Sequence, residues 1–130
     1  MIKLSNEKLV NSIQALNNLS QQQLPITISY AISKNIDKIE NELKIYNKER
    51  QKLIEKYSAK DEDGKTKVGE NNSVTIEVEY IEDWNREMIE LLGMENEIHI
   101  HQISISKFEN SNFNIAPSEL MKIDYMIAVQ

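Results

Sequence analysis

Residues Ile32, Ile36, Ile39, Leu43, Tyr46, Arg50, Leu53 and Tyr57 follow one another at alternating steps of four and three. That spacing keeps one side of an α-helix facing one direction. The stripe runs for about 39 Å at 1.5 Å per residue. A helix of that length needs a covering surface along it, from this chain or from a second copy. Arg50 interrupts the apolar run. A polar group at one such position fixes register or oligomer state, pairs with an acid such as Glu49, or marks a stretch that faces solvent. Pro25 suits a helix start and not a helix interior, so the long helix is expected to begin near it. Its polar sides carry Glu40 with Lys44 and Lys52 with Glu55 or Lys56, all at helix-surface spacings.

The rest of the chain divides by the same criterion. Leu9, Ile13, Leu16 and Leu19 give an amphipathic face to a first helix, with Ser5 as its N-cap and Glu7 in its first turn. Residues 59–73 hold Gly64 and Gly69 among many charges and read as a mobile loop. Val74, Ile76, Val78 and Tyr80 alternate with polar residues, the pattern of a half-buried strand. Ile81, Trp84, Met88 and Leu91 return to helical spacing, with Gly93 as the stop. Ile98 and Ile100 alternate with His99 and His101, and the apolar phase then shifts to Ile103 and Ile105, which predicts a bulge near Gln102. Asn110 to Asn114 reads as a polar loop. Pro117 opens a last helix expected to bear Leu120, Ile123, Met126 and Ile127.

These elements predict an α+β fold in one domain, residues 1–130. A long helical hairpin over 5–58 packs with a small antiparallel sheet and two shorter helices from the strand, helix, strand, helix part at 74–128.

Composition narrows the function classes. At 130 residues the chain can bury a core without metal or disulfide help, and the absence of cysteine excludes thiolate zinc sites. No apolar run approaches a membrane span, and the N-terminal residues lack the apolar core of a signal peptide. The expected location is a bacterial cytoplasm. The net charge of −6 is uneven. Residues 1–69 carry 12 basic and 9 acidic side chains, while residues 70–130 carry 3 and 12. The acidic half repels phosphate and attracts a basic protein surface. Lys34, Lys38, Lys44, Lys48, Lys52, Lys56 and Lys60 alternate with acids along the long helix, so their field largely cancels and direct nucleic-acid binding is not expected.

Candidate chemistry is sparse. Asp61, Asp63, Gly64 and Glu70 fall at positions three, five, six and twelve of a calcium loop, but Ala59 stands where the first carboxylate belongs. An Asp-rich turn with Gly64 at positive φ explains the same residues. Glu97, His99 and His101 would share one side of a strand, a possible two-His, one-carboxylate metal set without a fourth ligand. There is no nucleophile elbow and no glycine-rich phosphate loop, so no enzyme, metal or cofactor is expected.

Leu24-Pro25, Tyr30 to Asn35, Arg50 with Leu53, Lys56-Tyr57, the Asp61 to Lys65 turn, Glu87 to Leu92 and Ile98-x-Ile100 occur in an order that resembles small accessory proteins of bacteriophages and prophages of low-GC bacteria. The resemblance implies an accessory role without established chemistry. The expectation is a non-enzymatic protein that binds a macromolecule, most concretely to inhibit a host defence system in the manner of an anti-CRISPR protein. Glu77, Glu79, Glu82, Asp83, Glu87 and Glu90 are the acids expected to meet a basic partner, such as a defence nuclease. A homo-oligomer built on the long helix is also expected. The alternatives are a virion-assembly or replication accessory protein, and a nucleotide-binding module with a pocket lined by Arg50, Arg86, His99 or His101.

Overall fold

A computed structural model describes residues 1–70, 73–109 and 114–128. Among them the elements run β1 (Ile2–Ser5), α1 (Asn6–Ser20), α2 (Ile26–Tyr57), α3 (Ile81–Gly93), β2 (Glu95–Ile98), β3 (Ile103–Ser104), α4 (Ile105–Glu109), α5 (Pro117–Lys122) and β4 (Ile127–Ala128). The architecture is α+β, with a helical hairpin that has one long arm, a two-stranded antiparallel sheet and shorter helices. The chain divides into two compact units, Met1–Leu43 with Glu95–Gln130, and Lys44–Met94.

In the first unit Ser5 caps α1 as its sequence position predicts. Its backbone is extended, and its Oγ accepts from the Lys8 N–H at 3.1 Å. The residues before it form β1, which pairs antiparallel with β2, Ile2 opposite Ile98 and Ser5 opposite Glu95. Pro25 stands just before α2, and its carbonyl accepts from Ile28 and Ser29 at 3.1 and 2.9 Å. Leu9, Leu16 and Leu19 of α1, Ile28, Ile32 and Ile39 of α2, and Ile123 and Met126 are fully buried. Each such side chain contributes about 1.5–3 kcal/mol by leaving water.

The buried face of α2 differs from the predicted stripe by a small rotation. Asn35 is 0 % exposed and takes the core position assigned to Ile36, which is half-buried. Both residues lie within one helical step of the Ile32–Ile39 line, so spacing alone did not separate them. Further along, Ile54 is buried, Leu53 is half-buried and Arg50 is exposed. Arg50 therefore faces solvent and sets no register inside a core. Ile32, Ile39, Leu43, Tyr46 and Tyr57 are buried within this chain, so five of the eight stripe positions are core positions.

Three C-terminal expectations are corrected. The chain leaves β2 at Ile98 and resumes extended pairing only at β3, which pairs parallel with β4, so residues 99–102 are a break and not a bulge within one strand. The break has a cause: both backbone polar groups of His101 are taken by the Asn35 side chain and are not free for a ladder. Ile105 opens α4 instead of extending a strand. The last helix ends at Lys122, so Ile123, Met126 and Ile127 lie beyond it, in a 3-10 turn over Asp124–Met126 and in β4. Of the predicted polar loop, residues 110–113 lie outside the described residues.

In the second unit the segment after α2 is a meander held by isolated bridges. Ser58 pairs with Ile76, Lys60 with Thr66 and Val68 with Val74, all antiparallel. Gly64 turns the first hairpin at φ 77°, and Asp61 Oδ1 accepts from the amides of Asp63 and Lys65 at 2.9 and 3.0 Å. The loop from 59 is thus patterned, although residues 71 and 72 lie outside the described ones. The strand predicted over 74–80 stops early. Glu77 N–H reaches the Tyr57 carbonyl at 2.9 Å, and Tyr57 is the last residue of α2. Residues before it donate their backbone N–H groups inside the helix, so a ladder finds no donors there. Val78–Tyr80 instead form a 3-10 turn that leads into α3, and Val78 is 84 % exposed.

Candidate functional site

The acidic side chains singled out in the sequence all belong to the second unit. Tyr80 N–H bonds to the Glu77 carbonyl at 2.9 Å, which sets the 3-10 turn and places Glu79 within it. Glu82 and Asp83 follow in the first turn of α3, where carboxylates meet the positive end of the helix dipole. Trp84, Met88 and Leu91 take the covered side of α3, and Leu91 is buried.

The six acids separate into two groups. Asp83 is joined to Arg86 at 2.8 Å, and Glu87 lies 4.0 Å from Lys56. The first pair is exposed, and the second is long with its lysine exposed, so each contributes little to stability. Glu77, Glu79, Glu82 and Glu90 are exposed and form no ion pair among the described residues. Exposed apolar side chains stand among them, with Val78, Ile81 and, at 72 % exposed, Ile89. Lys56 also lies 4.9 Å from the centre of the Tyr57 ring. Tyr57 foremost, and then Glu87, hold its ammonium above the ordinary lysine value.

A groove of about 320 Å³ opens between α2 and α3, lined by Glu49, Leu53, Glu87, Glu90, Leu91 and Met94. Its lining combines three apolar side chains with three carboxylates. Glu49 pairs with Lys52 at 3.2 Å. Glu87 Oε2 is shielded from solvent and has no hydrogen-bond donor among the described residues. An acceptor in that state loses its hydration without compensation and is stabilised by an arriving donor. Sequence reasoning placed Glu87 and Glu90 on the acidic face but missed Glu49. Its signal was the Glu49 to Leu53 spacing of four, which sets a carboxylate beside an apolar residue one step from the conspicuous Arg50.

The remaining candidates are not assembled into sites. His99 lies beyond β2, and Glu97, His99 and His101 are exposed. Among the described residues no group of three potential ligands is close enough to hold a metal. Asp61 uses Oδ1 on its own turn, as an Asp-rich turn requires. A polar cleft of about 450 Å³ is lined by Gln51, Glu55, Lys60, Gly64, Lys65 and Thr66. There Lys60 Nζ donates to the Glu55 carbonyl and to Ser58 Oγ, so its charge is committed to holding the hairpin. Neither opening is lined by Arg50, Arg86, His99 or His101. Ser12 is buried with Oγ at 2.7 and 2.8 Å from the carbonyls of Lys8 and Lys122, a structural hydroxyl and not an accessible nucleophile. Among the described residues no helix is long and apolar enough to cross a membrane.

No protein-family model matches the chain, and neither does any curated protein or solved structure.

Proposed function

We propose that this chain is a non-enzymatic binding protein whose acidic face over residues 77–90 engages a basic protein surface. One observation carries the proposal. Glu77, Glu79, Glu82 and Glu90 stand exposed beside solvent-facing Val78, Ile81 and Ile89 and form no ion pair among the described residues. Apolar side chains left in water beside like charges are costly to an isolated protein, and both costs fall when a basic partner covers them. The phage resemblance extends the proposal to inhibition of a host defence system in a bacterial cytoplasm, with a nuclease as the basic partner.

The test is affinity capture from host cells with the wild type and with Glu77→Lys/Glu79→Lys/Glu82→Lys. The proposal expects a basic protein retained by the wild type and released by the variant. Equal retention by both would overturn it.

A further inference from the structure

Within the same unit, the groove between α2 and α3 combines apolar surface with carboxylates. Leu53, Leu91 and Met94 line it with apolar surface, and Glu49, Glu87 and Glu90 with carboxylates. Its volume, about 320 Å³, lies at the lower end of the range for pockets that take ligands. Met94 is 54 % exposed, so the apolar lining stays open to water at one side.

We propose that this groove is a docking slot for an arginine-centred segment of a partner protein. The inference rests on the proposed function and names the chemistry of the partner. Glu90 has no ion pair among the described residues, and Lys52 and Lys56 balance Glu49 and Glu87 only through exposed contacts at 3.2 and 4.0 Å. Such pairs exchange readily for a better cation. Glu87 also lacks a donor. Its Oε2 is dry and without a donor, while Oε1 keeps the long contact to Lys56. An arginine supplies five N–H groups in a rigid plane, enough to donate to more than one acceptor at once. Its three-carbon stem lies on apolar surface at no cost in buried polar atoms, which Leu53 and Leu91 provide. A lysine offers a single strongly hydrated point charge and loses more on entering. A metal ion gains nothing from the apolar lining, and a nucleic acid is repelled by the carboxylates.

The experiment uses the full chain with isotope-labelled leucine and methionine methyl groups, titrated with the capped peptide Leu-Ala-Arg-Ala-Leu. Matched peptides carry citrulline or lysine in place of arginine. The proposal expects saturable shifts at Leu53, Leu91 and Met94, and at least about tenfold weaker binding of the citrulline peptide, the effect of removing a charge-assisted hydrogen bond. Glu90→Gln, at an exposed position, is expected to keep the fold and weaken the arginine peptide by a similar factor. Absent shifts at those methyls, or equal binding of the arginine and citrulline peptides, would overturn the slot. If Glu77→Lys/Glu79→Lys/Glu82→Lys releases a partner while the peptide leaves the groove unperturbed, the slot fails and the acidic-face reading stands. If the peptide binds as expected while that variant retains the partner, the slot holds and the acidic-face reading fails.

Discussion

The Asn35 side chain holds both backbone polar groups of His101. Its Nδ2 donates to the His101 carbonyl at 2.9 Å, and the His101 N–H donates to Oδ1 at 2.8 Å. The orientation of the amide follows from the chemistry, because a backbone N–H can only donate and a carbonyl can only accept. Asn35 sits fully buried on α2, 66 positions away in sequence, and its Nδ2 also lies 3.9 Å from Met126 Sδ. One polar side chain thus fixes where the chain departs from β2.

Replacing Asn35 by Leu or Ala leaves a donor and an acceptor of His101 without partners. The expected loss is about 2–6 kcal/mol, at about 1–3 kcal/mol for each group left without a partner. His101→Ala should change stability by less than about 0.5 kcal/mol, because the imidazole is exposed and only the backbone is held. Urea unfolding of the two variants checks the contrast.

The two ends of the helical stripe should respond differently. Ile39 is 0 % exposed, so Ile39→Ala is expected to cost about 2–5 kcal/mol. Arg50 faces solvent, so Arg50→Ala is expected to be neutral within about 0.5 kcal/mol. A large loss at Arg50 in chemical denaturation would restore the reading of that residue as a register-setting group.

The hairpin after α2 depends on backbone conformation at Gly64. A Cβ there would meet nothing within 4 Å, so the cost of Gly64→Ala is conformational and not steric crowding. At φ 77° it should be about 1 kcal/mol, and Gly64→Asn should recover part of it. Thermal melts of the two variants separate this from a packing effect, which would make the larger asparagine worse.

Stability should fall at high pH through Tyr125. Burial raises its phenol above the ordinary value of 10.0, the neighbouring Asp124 adds to the rise, and Ser12 opposes it. The Tyr125 hydroxyl is shielded, and the neighbouring Ser12 Oγ, which lies on the Lys8 and Lys122 carbonyls, only partly offsets the effect of burial. Lys8 lies 5.6 Å from the ring centre and pairs with Asp124 at 3.3 Å. Below the unfolded value both states hold the proton and no stability is lost. As pH rises above it, the unfolded chain ionises first, and the loss grows until the folded group titrates. Urea unfolding between pH 8 and pH 11 should show a steeper decline for the wild type than for Tyr125→Phe.

Much of the fold was legible because local chemistry announced it. Ser5 and Glu7 marked the start of α1, Pro25 the start of α2, Asp61 with Gly64 the turn after it, and Gly93 the end of α3. What stayed hidden was decided by distant residues. β1 is four residues long and pairs with a strand ninety or more positions away, so neither alternation nor turn chemistry revealed it. The Val74 to Tyr80 alternation is real, but its ladder ends where α2 has already used the partner groups. Asn35 was overlooked because a polar residue beside Ile36 reads as helix surface, and its partner is a backbone that no side-chain pattern marks. For the site, charge bias pointed to α3, while the groove also needed Glu49 and Leu53 from α2, whose convergence is tertiary.

The most direct test of the binding account is a calorimetric titration of the partner recovered by capture, against the wild type and against Glu77→Lys/Glu79→Lys/Glu82→Lys. The account predicts at least about tenfold weaker binding by the variant and an affinity that falls as salt is raised, since the contacts are exposed charges. Equal affinity for both proteins, unchanged by salt, would contradict it.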